Sequence, residues 1–243
     1  MSKKRLLLEI MVGVLLFVAL VANGVYALSQ YRTQEISDMS IYIENSQHAH
    51  LLHVEDIREV MHSLNGCCEG SKREEINISM LEENIDDHPL VSKSEVFSSL
   101  NGGLYIHTGV KRPVARVHDG KSSFYLDENG EIMPLSKRYS LPVLLVTGSV
   151  DAWQRTTLMN LIHHLSNDDF FAQRIAGLDI NDRGEAKLYP ASMQFTIVLG
   201  PEVDVLARIH KLEVFWENAL DEALAKRLKQ IDLRFNRQVV CQF

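Results

Sequence analysis

Ten histidines give this chain its most obvious capacity for chemistry, and the densest group is His48-x-His50-x-x-His53. Imidazoles at that spacing suit zinc, but a zinc site takes three or four ligands held by a fixed scaffold, usually with cysteine or carboxylate help. These three fall in a predicted strand-to-helix loop with no cysteine pair nearby, so a solvated loop is expected there. His163 and His164 are neighbours on a predicted helix, where side chains diverge by about 100° and cannot chelate together. Asp179-x-Asn181-Asp182-x-Gly184 starts like a calcium loop, yet the twelfth position counted from Asp179 lacks the required bidentate acid. A hairpin turn is expected instead. The three cysteines, Cys67, Cys68 and Cys241, are odd in number and two are adjacent, which is no disulfide framework. A bridge between direct neighbours would also strain the geometry an S–S bond demands. No G-x-S-x-G, P-loop, H-E-x-x-H or C-x-x-C occurs. Glu82-Glu83 and Asp86-Asp87 read as solvated helix faces, and the sequon Asn77-Ile78-Ser79 as a helix start. The expectation is a protein that is not an enzyme and needs no cofactor or metal.

The elements that would position any site begin with the first 28 residues. Lys3, Lys4 and Arg5 precede residues 6–28, which are almost wholly apolar. At about 1.5 Å per residue this segment makes roughly 35 Å of helix, enough to cross a hydrocarbon core of about 30 Å. Glu9 lies one turn inside the basic end and Asn23 near the other, so neither has to sit at the bilayer centre. Only Arg32 is basic between Leu28 and Asp56. That asymmetry predicts a cytoplasmic N-terminus and a bulk on the far side of the membrane. A cleaved signal peptide ending at Val25-Tyr26-Ala27 is the competing expectation, disfavoured because the apolar run exceeds the roughly 7–15 residues of a signal core. Setting Lys3, Lys4, Arg5 and Glu9 aside from the 25 basic and 32 acidic residues leaves 22 and 31, a net charge of −9. So acidic a remainder is a poor match for nucleic acid or anionic lipid.

Residues 29–37 are polar and read as a stem. Residues 40–44 alternate as a strand; Val54, Ile57, Met61 and Leu64 form the core stripe of a helix stopping at Asn65-Gly66. Ile78, Leu81 and Ile85 repeat the helical spacing before Pro89, with Ser79-x-x-Glu82 as a capping box. Residues 91–97 and 104–110 read as strands joined around Asn101-Gly102-Gly103, a strong hairpin signal. The order is β-α-α-β-β. Beyond Arg112 come strands at 114–118, 123–127 and 131–134, with a turn at Asp127-Glu128-Asn129-Gly130, and apolar sequence at 141–148. A helix follows over 153–165, then strands at 171–180, 185–189 and 193–199. A long helix over 203–224, with Leu206, Ile209, Leu212, Phe215, Trp216 and Ala219 on its apolar side, precedes closing strands at 230–235 and 238–242. The fold class predicted is α+β: one transmembrane helix, a β-α-α-β-β domain, and an antiparallel β-sheet domain with two helices.

Taken in order, Ile85 to Pro89 with Val91, Arg112-x-Val114-Ala115 after Lys111, Tyr125-x-Asp127-x-x-Gly130, Leu141-Pro142 and Ile231-Asp232-Leu233-Arg234-Phe235 resemble the segments of the bacterial FtsQ/DivIB cell-division family. The resemblance covers nearly the whole chain. It departs at Arg112-Pro113, where an E-R-x-P form is commoner, and in ending soon after the last strand. It implies a cytoplasmic tail over 1–5, a transmembrane helix over 6–28, a stem over 29–37, a POTRA-like domain over 38–111 and a β domain over 112–243. It further implies a non-catalytic scaffold in the inner membrane, bulk periplasmic and concentrated at the division septum. The partners implied are FtsB/FtsL-type coiled-coil proteins and other divisome components, with neither nucleic acid nor a small-molecule substrate. In that family the last strand offers an edge for strand addition, which here implies a partner site at Arg234, Phe235, Gln238, Val239 and Val240. Ile231, Leu233 and Phe235 are expected to face the core, Asp232 and Arg234 to face outward, and Asn236-Arg237 to form a two-residue turn. Two other classes fit the elements less well. A membrane-anchored envelope enzyme lacks a polar constellation, and a POTRA-containing secretion or outer-membrane assembly component lacks a barrel or further POTRA units.

Overall fold

The computed structural model describes residues 3–44, 49–64, 70–136 and 139–243. His48, Asn65-Gly66, Cys67 and Cys68 lie outside the described residues. Two compact units divide at Val110 and Lys111.

The first unit opens with helix α1, Lys3–Thr33. Its window Met11–Ser29 is long and apolar enough to cross a membrane, and none of that window is buried in the protein. The helix runs past the expected end at Leu28, and its polar side chains there bond to the helix's own backbone. Ser29 Oγ donates to the Tyr26 carbonyl at 2.8 Å and Thr33 Oγ1 to the Ser29 carbonyl at 3.0 Å. Residues 34–37 are not the solvated stem that their polarity suggested. Ile36 is buried, its N–H donates to the Ser71 carbonyl at 2.9 Å, and its carbonyl accepts from Gly70.

Strand β1 (Asp38–Ile43), helices α2 (Val54–Ser63) and α3 (Ile78–Asp86), and strands β2 (Val91–Ser98) and β3 (Gly103–Val110) follow, with sheet order β1-β3-β2. The β2–β3 pair is an antiparallel hairpin, and β1 lies parallel to β3. Ile57, Met61, Leu81 and Ile85 pack on Val96, Leu104 and Ile106 to form the core. The cap of α3 is Asn77, whose side chain accepts from Met80 N–H, and not the expected Ser79–Glu82 box. Glu82 instead accepts from Val96 N–H at 2.8 Å, and Asp86 from Ser94 N–H. Alternate donors on the outer edge of β2 are thereby occupied by carboxylates of α3, which closes that edge to strand addition.

The second unit is built on one nine-stranded sheet. Its strands are β4 (Pro113–His118), β5 (Ser123–Asp127), β6 (Ile132–Met133), β7 (Leu144–Gly148), β8 (Ile175–Ile180), β9 (Ala186–Pro190), β10 (Thr196–Gly200), β11 (Gln230–Asp232) and β12 (Val240–Gln242). Their order is β12-β11-β10-β9-β8-β7-β4-β5-β6. Helix α4 (Arg155–Asn167) connects β7 to β8, and α5 (Val205–Asn218) with short α6 (Glu222–Ala225) connects β10 to β11. Both connected pairs are parallel, as is β4–β7, so the sheet is mixed and not antiparallel as expected. A parallel neighbour needs a crossover long enough to return the chain to the same end, and these helices supply it. Leu158, Leu161, Ile162 and Leu165 of α4, with Ile209, Leu212 and Trp216 of α5, pack on Val146, Leu178, Leu188, Ile197 and Ile231.

Helix α5 ends at Asn218, short of the expected Leu224, and Asp221 starts α6 by accepting from Leu224 N–H at 2.7 Å. Val205 takes the core position expected of Leu206, which is exposed. The Asp179 segment is the β8–β9 hairpin, where Asn181 Oδ1 accepts from Arg183 N–H and Glu185 N–H. His163 and His164 are both partly exposed on α4.

Candidate functional site

Strand β12 ends the nine-stranded sheet and pairs only with β11, antiparallel, with Gln230 opposite Gln242, Ile231 opposite Cys241 and Asp232 opposite Val240. Both strands are shorter than the apolar alternation suggested. The connection spans residues 233–239 and not two residues, and it turns at Arg237, which takes a left-handed φ of 57°. Of the expected site residues, Arg234 and Phe235 leave β11, Gln238 and Val239 lead into β12, and Val240 opens it. All five therefore belong to one run of chain at the sheet's rim.

Two orientations differ from expectation. Phe235 is not in the core but 49% exposed, and Asp232, expected to face outward into solvent, is 3% exposed. The cause is that β11 ends at Asp232, so strand alternation no longer governs Phe235, while Arg234 folds back over the strand. Its Nε donates to Asp232 Oδ1 at 3.0 Å, its Nη2 to Oδ2 at 2.7 Å, and its backbone N–H to Oδ1 at 3.0 Å. Glu185 Oε1 lies 3.5 Å from Arg234 Nη1. Beneath the arginine is Gly200, at φ 80°, where an added Cβ would come within 2.6 Å of Arg234 Cγ.

Helix α5 anchors the same rim from the helical face. Lys211 Nζ donates to the carbonyls of Leu233 and Phe235, each at 2.7 Å, and Arg208 Nη1 to those of Leu199 at 3.0 Å and Pro201 at 2.6 Å. These cations, spaced i and i+3, bind the last carbonyls of β10 and the start of the connection. Burial chiefly pushes the Lys211 pKa below its ordinary value, with Arg208 adding to the effect and Asp232 opposing it. Val239 and Cys241 pack against the core, and burial raises the Cys241 thiol. At the other end of β12, Lys229 Nζ donates to the Phe243 carbonyl at 2.8 Å and Arg227 stands 5.3 Å over the exposed Phe243 ring. Gly200, Arg208, Lys211 and Glu185 were not foreseen as part of this site. The i, i+3 pair of cations on α5 was the one signal that could have suggested them.

The side-chain hydrogen bond from Arg234 holds the Asp232 carboxyl below the usual carboxylate range, against the opposing effect of burial. With the folded pKa depressed, the unfolded chain takes up its proton first. The interaction therefore stabilises fully above the ordinary carboxylate pKa of about 3.9 and is lost as pH falls from there through the folded value. Asp232→Asn should flatten that part of the acid limb, so the Tm values of wild type and variant should converge as pH falls below about 3.9. Melts by circular dichroism across this range check it.

A helix long and apolar enough to cross a membrane, a small β-α-α-β-β unit and a mixed sheet ending in an open rim fit the layout of a single-pass membrane protein. A family model of the POTRA-like domain matches residues 34–108, and one described as FtsQ/DivIB, C-terminal related, matches residues 112–242. The chain belongs to the FtsQ/DivIB family, whose proteins are division-related. No curated protein resembles the chain closely enough to count as a relative.

Proposed function

We propose that this protein is a non-catalytic, single-pass scaffold of the bacterial divisome that captures FtsB/FtsL-type coiled-coil partners by strand addition at β12. The observation that carries the reading is the terminal place of β12 in the sheet, with an exposed aromatic at Phe235 and an immobilised cation at Arg234 on its approach. An edge strand presents a row of backbone donors and acceptors that a partner strand can use. The other edge strand of known closure, β2, already has its donors occupied by Asp86 and Glu82. Tail 1–5 is assigned to the cytoplasm, domains 38–111 and 112–243 to the periplasm, and the whole to the inner membrane at the septum. Retention of the helix as an anchor is supported by its continuation past Ala27 to Thr33 and by contacts of its end with the first unit.

Partner capture by the purified full chain, beside a circular-dichroism melt, tests the reading. Arg234→Glu and Phe235→Ala should each weaken capture by on the order of tenfold, about 1.4 kcal/mol, with folding retained, since arginine and aromatic residues commonly anchor interfaces. Unchanged capture by both folded variants would remove this rim from the interface. A reporter active only outside the cytoplasm should work when fused after Val240 and fail before Leu6. A mature N-terminus at Leu28 would replace the anchor with a signal peptide.

A further inference from the structure

The turn between β2 and β3 lies beside the exit of α1. Strands β1 and β3 are parallel with Asp38 opposite Gly103, so the point where the chain leaves α1 for β1 and the point where the turn enters β3 share one end of the sheet. Direct bonds fix this placement. Ser37 N–H donates to the Gly102 carbonyl at 3.0 Å, and a Cβ on Gly102 would lie 2.7 Å from the Glu35 carbonyl. Arg73 joins the helix end to the turn. Its guanidinium stands 3.7 Å over the Tyr31 ring, while Nη1 donates to the Ser99 carbonyl at 3.0 Å and Nη2 to that of Ser98 at 3.1 Å. Its backbone N–H donates to the Gln34 carbonyl at 3.0 Å.

From Ser29, the last residue of the apolar window, to Thr33 the helix rises only about 6 Å, comparable to the headgroup layer on one side of a bilayer. The turn is thus held at headgroup depth. Its tip is Leu100, 77% exposed, the most exposed large apolar side chain among the described residues. No charged residue occurs from Val96 through Ile106, in a chain that is 23% charged. The backbone at the base of the turn is already paired, with Ser99 N–H donating to the Gly103 carbonyl at 2.8 Å and Gly103 N–H to Ser99 Oγ at 3.0 Å, besides the two carbonyls held by Arg73. Paired polar groups enter a poorly hydrated layer at far lower cost than free ones.

We propose that the Leu100 turn is a second membrane contact, inserting its leucine at the headgroup–acyl boundary of the same bilayer that α1 crosses. It rests on the anchor reading. The contact is apolar and needs no anionic lipid, consistent with the net negative charge of the chain. Together with α1 it gives the first unit two points of attachment, so the unit stands in one orientation on the membrane and does not swivel about the helix.

The test uses the full chain, with its native cysteines replaced by serine, in vesicles of phosphatidylethanolamine and phosphatidylglycerol. An environment-sensitive fluorophore is attached at Leu100→Cys, at Leu20→Cys within the apolar window, or at Glu44→Cys, just beyond the far end of β1. Nitroxide lipids then quench at headgroup or acyl depth. The Leu20 label should be quenched by acyl nitroxide and the Glu44 label by neither. The Leu100 label should be blue-shifted and lose most of its emission to the shallow nitroxide. A Leu100 label that behaves like Glu44 while Leu20 is quenched overturns the contact and leaves the anchor standing. An unquenched Leu20 label overturns the anchor and the contact with it. With the label moved to Asn101→Cys, Leu100→Asp should abolish the shallow quenching; quenching that persists would show mere proximity and overturn the insertion.

Discussion

Val240→Pro and Cys241→Pro should both weaken capture of the coiled-coil partners at least about fivefold, but only one of them should lower the melting temperature. Successive N–H groups along a strand point to opposite sides, so of these two neighbours one donates toward β11 and the other toward the open rim. Proline removes whichever donor it replaces. The inward substitution breaks the β11–β12 ladder and detaches the edge, with loss of both stability and capture. The outward substitution leaves the ladder intact and removes a donor used only by an added strand. A carbonyl of the partner then stays unpaired at a desolvated interface, which costs about 1–3 kcal/mol, or roughly five- to a hundredfold in affinity. Side-chain truncation of Val240 to Ala should cost far less, because strand addition draws its affinity from the main chain. Capture undiminished in the proline variant that melts like wild type would exclude β12 as the acceptor strand.

Periodicity made most of the elements legible. The stripes Ile57–Met61 and Leu81–Ile85 became buried helix faces, and Asn101-Gly102-Gly103 marked a real hairpin. What a period cannot report is which strand lies beside which. The parallel pairings β7–β8 and β10–β11 follow from crossovers that the sequence carries only as helices lying between strands, and β4–β7 from one that runs through β5 and β6. Polarity misled at residues 34–37. Their side chains read as solvated, but their backbone groups are taken up by Ser71, Arg73 and Gly102, partners remote in sequence.

The rim of the second sheet was legible in place but not in orientation. The family's closing segment located Arg234 and Phe235, and the alternation Ile231, Leu233 correctly marked the buried side. Extending it to Phe235 failed because the strand stops at Asp232, and nothing in a period of two announces where pairing ends. The burial of Asp232 depends on Arg234 two residues on folding back over it. The spacing Asp-x-Arg is visible in sequence, but spacing alone does not say that the arginine folds back.

Gly200→Val is the substitution expected to do the most damage, and it shows how the rim is built. Gly200 sits at an irregularity in the β9–β10 register, with φ 80°, a conformation a β-branched residue adopts poorly at a cost of about 1–2 kcal/mol. Its new Cβ would also lie 2.6 Å from Arg234 Cγ and 2.8 Å from Cδ, closer than real Cβ contacts come, so the arginine must leave. Such overpacking costs about 1–3 kcal/mol more. The sum, about 2–5 kcal/mol, predicts a fall in Tm on the order of 10 °C for a unit of this size. Displaced from its seat, Arg234 no longer covers Asp232, so capture should weaken even at temperatures where the protein is folded. The two contributions separate in a double-mutant cycle. In an Arg234→Ala background the clash is gone but the backbone strain remains, so Gly200→Val should cost roughly half as much there. Equal costs in the two backgrounds would show that the glycine serves the backbone alone and that Arg234 is not seated against it.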